Sequence, residues 1–227
     1  IYYIIISLKY IFMIKIAPSI LAADLLKMEE EVSLVDKAGA EYIHIDVMDG
    51  NFVPNITFGS NIVKSLKNIT NKILDVHLMI TPVSRHIEDF INAGSNIISF
   101  HPEADTEPKK IIEIIKNKNC KVGIAINTNL TVESIKDYLK DIDQVIVMTV
   151  KPGFGGQKFL HEHAKKIIRL KEIKESLNLK FDIQVDGGIN AETSKICINN
   201  GADILVAGSY IFQSNKEKYK FLIDSLR

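Results

Sequence analysis

Two imidazoles and two carboxylates stand at the ends of apolar runs in this chain: His44 and Asp46 in EYIHIDVM, His77 in ILDVHLM, and Asp186 in FDIQVDGG. Each run reads as a β-strand, and period-two alternation sends His44 and Asp46 to one face with Met48 following on it. A buried polar group without a partner costs about 1–3 kcal/mol. Convergence of these four side chains on one point removes that cost if they ligate a divalent cation, one per subunit. Two His and two Asp suit Zn²⁺ first, with Fe²⁺, Co²⁺ or Mn²⁺ as alternatives that donor chemistry does not separate.

A second constellation is built from glycine. KPGFGGQ carries Gly153, Phe154, Gly155 and Gly156; DGGIN carries Gly187 and Gly188; AGSYIF carries Gly208 and Ser209. Each follows one of the last three expected strands. Glycine lets backbone N–H groups approach an anion closely, and the helix starts after the last two strands add partial positive charge. The implied ligand is a small sugar phosphate, its phosphate at these loops and its reactive end at the cation.

Other titratable residues receive plainer assignments. Asp49, beside Gly50, reads as a turn-forming aspartate. Asp75 and Asp182 are expected in loop or outer contacts, and His86, His161 and His163 on solvated helices or helix starts. His101, in SFHPEA, is an open candidate for lining the pocket.

The elements that must position these groups follow from periodicity. Strands are expected over 15–20, 41–47, 73–79, 96–101, 121–126, 143–150, 181–186 and 203–207. Amphipathic stretches such as LLKMEEEVSLVDKAGA, which stops at Gly39, separate them. Eight strand–helix units close a single α/β domain, a (β/α)₈ TIM barrel whose C-terminal strand ends form the site. An open doubly wound sheet is the alternative, but the first turn, PSILAAD, lacks its glycine fingerprint.

Composition bounds the rest. The 227 residues are 46% hydrophobic, enough for one real core, and 28 basic residues balance 28 acidic ones. No electrostatic footprint for nucleic acid or an anionic membrane results. Cys120 and Cys197 lack metal-ligand or disulfide spacing, which makes them buried, reduced thiols and implies a cytoplasmic setting. The opening IYYIIISLKYIFMI contains Lys9 and is shorter than the roughly 20 apolar residues of a membrane span. Residues 1–12 are therefore expected to be a disordered extension without a role in the fold, and residues 13–227, beginning at Met13, the barrel.

The stretches APSILAAD, HIDVMDGNFVPNITFG, DVHLM, FHPEA, VMTVKPGFGGQKF, VDGGIN and AGSYIF fall between residues 17 and 212 and carry a likeness that covers essentially everything from residue 14 to the end. In them the chain resembles the ribulose-phosphate 3-epimerase family. The resemblance implies a barrel of the ribulose-phosphate-binding type with His44, Asp46, His77 and Asp186 as metal ligands. It also implies Asp46 and Asp186 as the acid/base pair. Substrate contacts fall on Ser19, His77, Met48, Met79 and Met148, and phosphate contacts on the glycine loops. The implied activity is metal-dependent interconversion of D-ribulose 5-phosphate and D-xylulose 5-phosphate in the pentose phosphate pathway, by two-base proton transfer at C3 through an enediolate. An epimerase of a six-carbon ketose phosphate such as D-allulose 6-phosphate is the alternative. A homo-oligomer is implied as well. Lys151 and Tyr210 depart from the family pattern without touching a ligand or catalytic position. A metal hydrolase on the same barrel would leave two facing carboxylates and three anion loops without a reason.

Overall fold

Valine and isoleucine dominate the strands, and apolar side chains leave both faces to be covered. The computed structural model describes residues 14–227, so the expected extension over residues 1–12 and Met13 lie outside the described residues. Eight strands are formed: β1 (Lys15–Pro18), β2 (Tyr42–Met48), β3 (Ile73–Met79), β4 (Ile97–Phe100), β5 (Lys121–Ile126), β6 (Gln144–Met148), β7 (Asp182–Asp186) and β8 (Ile204–Ala207). Every pairing is parallel, in the order β1-β8-β7-β6-β5-β4-β3-β2. Burial of all seven residues of β2 and all five of β6 is what a parallel sheet covered on both faces requires.

The helices that cover the outside are α1 (Met28–Lys37), α2 (Ser60–Leu66), α3 (Ile87–Asn92), α4 (Pro108–Asn117), α5 (Ala164–Ser176), α6 (Thr193–Asn200), α7 (Ser209–Phe212) and α8 (Tyr219–Asp224). α4 shows how the sequence makes them: proline opens it, where a missing N–H costs nothing, and Ile111, Ile112 and Ile115 put one apolar face on the sheet. The expected helix after β5 is instead a 3₁₀ segment, Val132–Tyr138. Its buried residues, Val132 and Ile135, are three apart, which matches three residues per turn. Among the described residues no helix is long and apolar enough to cross a membrane.

Alternation divides each strand between two cores. Ile43, Ile45 and Val47 of β2 join the layer beneath the helices, whereas Tyr42 packs inside the barrel with Ala17, Ile97, Ile204 and Val206. His44, Asp46 and Met48 share the phase of Tyr42. The same phase overturns the expectation for Asp75 and Asp182. Asp75 lies two residues before His77 and is fully buried inside the barrel, where its carboxylate faces His44 Nδ1 at 2.8 Å and accepts from Gln144 Nε2 (3.1 Å) and Gln184 Nε2 (2.6 Å). Asp182, two residues before Gln184, takes the N-terminal mouth of the barrel and pairs with Lys15 Nζ at 2.7 Å.

The seam between β1 and β2 closes with fewer strand bonds than the others. A parallel bridge joins Ser19 to His44. The Glu41 N–H donates to Ile16 O at 3.2 Å, and the Ile16 N–H donates to the Glu41 carboxylate at 2.8 Å. Arg227 Nη2 clamps the same carboxylate at 2.8 and 3.0 Å and also reaches Gly39 O at 2.9 Å. Glu41→Ala leaves the Ile16 N–H without its acceptor and Arg227 without its partner. The expected loss of stability is about 1–3 kcal/mol, read as a lower urea midpoint at an unchanged denaturant slope.

Candidate active site

The C-terminal end of the barrel gathers four side chains. β2 contributes His44 and Asp46, β3 contributes His77, and the last residue of β7 is Asp186. One ligating atom from each lies within 4.8 Å of all the others. Asp46 Oδ1 is 3.3 Å from His44 Nε2 and 3.3 Å from His77 Nδ1, and Asp186 Oδ2 is 3.8 and 3.7 Å from the same two nitrogens. Both nitrogens are buried and have no hydrogen-bond partner. Two unpartnered imidazole nitrogens facing two carboxylate oxygens form the donor set that a tetrahedral N/O cation site uses.

The far side of each ring is fixed. His44 Nδ1 meets Asp75, and His77 Nε2 meets Nε2 of His101 at 3.0 Å. His101 thus stands behind His77, fully buried, and does not line the cavity. Ser19 Oγ donates to Asp46 Oδ2 at 2.7 Å, so one Asp46 oxygen is held while the other faces the histidines.

Electrostatics follow from this crowding. Full burial works against charge on His44, but the adjacent Asp46 and Asp75 carboxylates outweigh it and raise its pKa well above the usual imidazole value. Burial likewise opposes ionisation of Asp46, yet His44 and His77 hold its carboxyl far below the ordinary range. Burial is the main cause that brings His101 down to about 4; the neighbouring His77 adds to the lowering and Glu103 only partly offsets it. His101 is therefore neutral near pH 7.

Above the four lies a cavity of about 60 Å³ that opens to solvent. Ser19, Asp46, Asp186, Met48, Met79 and Met148 line it, together with Gly153–Gly156, Gly187, Gly188, Gly208 and Ser209. The three methionines are at most 3% exposed and supply an apolar, polarizable wall. His44 and His77 present nitrogens to the floor without lining the open space. Gly188 (φ 66°) must be glycine: a Cβ there would stand 2.5 Å from Phe159 N, so the loop after β7 can pack against the segment after β6.

Several supporting residues escaped the sequence reading. Thr57 Oγ1 donates to Asp46 O at 2.5 Å and accepts from Met48 N–H at 3.0 Å, bracing the end of β2. Asn55 Nδ2 donates to Gly153 O at 2.9 Å, tying the loop after β2 to the loop after β6. Thr149 Oγ1 donates to Asp186 O and Gly187 O. None carried a signal of its own, because each acts through partners distant in sequence. Asp75 did carry one, the period-two match to His77. Asp49 behaves as a turn residue, accepting from Asn51 N–H (2.9 Å), Phe52 N–H (2.8 Å) and Thr81 N–H (2.8 Å). His86 and His161 are exposed and His163 is half-buried, all outside the cavity.

Residues 15–212 match the family described as ribulose-phosphate 3 epimerase. A ribulose-phosphate 3-epimerase of Bacillus subtilis is 46% identical over 208 residues, covering 91% of this chain and 96% of that protein. One of Escherichia coli K12 is 41% identical over 215 residues, covering 93% and 94%. Among solved structures, 3-keto-L-gulonate-6-phosphate decarboxylase from Vibrio cholerae superposes with a TM-score of 0.68 at 18% identity, covering 95% of each chain. 3-Hexulose-6-phosphate synthase from Salmonella typhimurium does so at 0.68 and 17%, covering 94% of this chain and 100% of that one. The two structural likenesses establish the barrel alone.

Asp75→Ala removes the carboxylate that holds His44, Gln144 and Gln184, and its expected cost is about 3–5 kcal/mol. Burial opposes ionisation of Asp75, but His44 and the two glutamines hold its folded pKa below the ordinary value. Its contribution is therefore present above the unfolded carboxylate pKa of about 3.9 and lost as pH falls through the folded one. Urea unfolding of both chains checks this: the difference between them is full above that value and narrows in more acidic buffers.

Proposed function

The chain belongs to the ribulose-phosphate 3-epimerase family and is an epimerase; from that premise we propose that it interconverts D-ribulose 5-phosphate and D-xylulose 5-phosphate by proton transfer at C3. The observation that carries this reading is the pairing of Asp46 and Asp186, two cavity-lining carboxylates from strands three places apart around the barrel, at one buried point.

Inversion next to a ketone needs a base on one face of the carbon and an acid on the other. Asp46 and Asp186 alternate in these roles: Asp46 takes the C3 proton of ribulose 5-phosphate, an enediolate forms, and Asp186 delivers a proton to the opposite face. The Ser19 bond to Asp46 Oδ2 holds that carboxylate in one plane. Met48, Met79 and Met148 form an apolar wall that keeps water from the reacting carbon. The glycine loops at 153–156, 187–188 and 208–209 take the phosphate at the other end of the cavity.

His44 Nε2, His77 Nδ1 and one oxygen each of Asp46 and Asp186 fit one divalent cation, zinc by preference, because the two nitrogens are buried and unpartnered. Bound there, it supplies Lewis-acid stabilisation of negative charge on the substrate oxygens, worth several kcal/mol. A cytoplasmic setting belongs to the same proposal, supported by Cys120 and Cys197, which are free and buried with thiol pKa values pushed by burial up to about 12. So does a homo-oligomer, supported by Leu26 and Ile56 at 97% and 77% exposure.

The deciding experiment is incubation of the metal-loaded protein with D-ribulose 5-phosphate in D₂O, followed by NMR. Xylulose 5-phosphate carrying deuterium at C3 is the expected product. Absence of both product and exchange from folded, metal-loaded protein overturns the assignment; exchange with D-allulose 6-phosphate alone moves it to the six-carbon substrate. Asp46→Asn and Asp186→Asn should each lower kcat by about 10²–10⁴, the usual share of general acid–base catalysis.

A further inference from the structure

The two imidazoles that face the proposed cation position are backed by different groups. Behind His44 is the Asp75 carboxylate. Behind His77 is a second imidazole, His101, whose ring lies against Phe52 at a centroid distance of 5.0 Å and whose Nδ1 is 3.6 Å from Glu103 Oε1.

A contact between two ring nitrogens, such as His77 Nε2 and His101 Nε2 at 3.0 Å, holds one proton, so one ring donates and the other accepts. The two directions have opposite consequences. Donation by His101 puts the His77 proton on Nδ1, aimed at Asp46 Oδ1 (3.3 Å) and Asp186 Oδ2 (3.7 Å), inside the space a cation needs. Donation by His77 leaves its Nδ1 lone pair facing that space and moves the His101 proton to Nδ1, toward Glu103. The Glu103 contact is longer than a hydrogen bond and acts as charge: a carboxylate attracts an N–H and repels a lone pair. It therefore favours the second direction.

We propose that His101, oriented by Glu103, is a positioning residue that fixes the tautomer of His77 and keeps Nδ1 free to ligate. The inference rests on the cation site of the proposed function. It assigns His101 a role through its acceptor nitrogen rather than through its bulk, and two substitutions separate these. His101→Phe keeps an aromatic ring against Phe52 but has no acceptor; His101→Gln loses the ring but offers an amide oxygen to His77 Nε2–H.

Zinc affinity, read by chelator competition, should fall about 10–100-fold in His101→Phe, the usual cost of losing the group behind a ligating histidine, and stay within several-fold of the unaltered chain in His101→Gln. Tight binding by the phenylalanine variant, or equal loss in both, overturns the proposal. The zinc-loaded unaltered chain gives an independent reading: ¹⁵N NMR should show the shared proton on His77 Nε2 and a protonated Nδ1 on His101. A proton on His101 Nε2 and none on its Nδ1 overturns the proposal without any variant. Failure of the unaltered chain to bind zinc, cobalt, iron or manganese would instead remove the cation site on which the inference stands.

Discussion

The contact between His44 and Asp75 is the interaction on which the rest of the site depends. A fully buried carboxylate inside a barrel is tolerable only if every lone pair finds a donor, and Asp75 finds His44, Gln144 and Gln184 on three other strands. Those bonds cross the barrel interior in one layer. They fix the side of His44 that faces Asp75, which leaves Nε2 aimed at Asp46 and Asp186 one layer above. The polar floor thus carries stability and orientation together, and neither can be relaxed alone.

The layer above has the opposite character. Asp46, Asp186, His44 and His77 crowd four ionisable groups around one point with two buried nitrogens unpaired, and a buried polar atom without a partner carries a cost. The surrounding structure bears that cost through Ser19, Thr57, Thr149 and His101, each bonded to a site residue or to the backbone that carries it. Apolar methionines line the same cavity as this charged floor and the glycine loops.

Barrel closure connects these local facts to the whole chain. Ser19 bridges to His44 at the β1–β2 seam and also donates to Asp46, so joining the first and second strands sets part of the site. Arg227, the last residue, clamps Glu41 at the opposite end of the same seam. Both chain ends of the described barrel are thereby committed to the strand that carries His44 and Asp46.

The sequence by itself determined the eight strands, each within two residues of its observed bounds, because β-branched runs bounded by helical patterns are local signals. It also determined the four converging ligand candidates and the glycine loops, since residue type at a strand's end predicts direction once the barrel is assumed. Its reading of Asp75 and Asp182 failed by a slip in phase, not for lack of signal. Only the tertiary structure decided what stands behind each imidazole. His77 with His101, His44 with Asp75 and Asn55 with Gly153 are meetings of residues 24 to 98 positions apart, and such pairings are fixed by strand register and loop packing rather than by local pattern. The 3₁₀ segment after β5 was decided the same way. Its two buried residues, Val132 and Ile135, lie three apart, and three residues per turn puts both on one face.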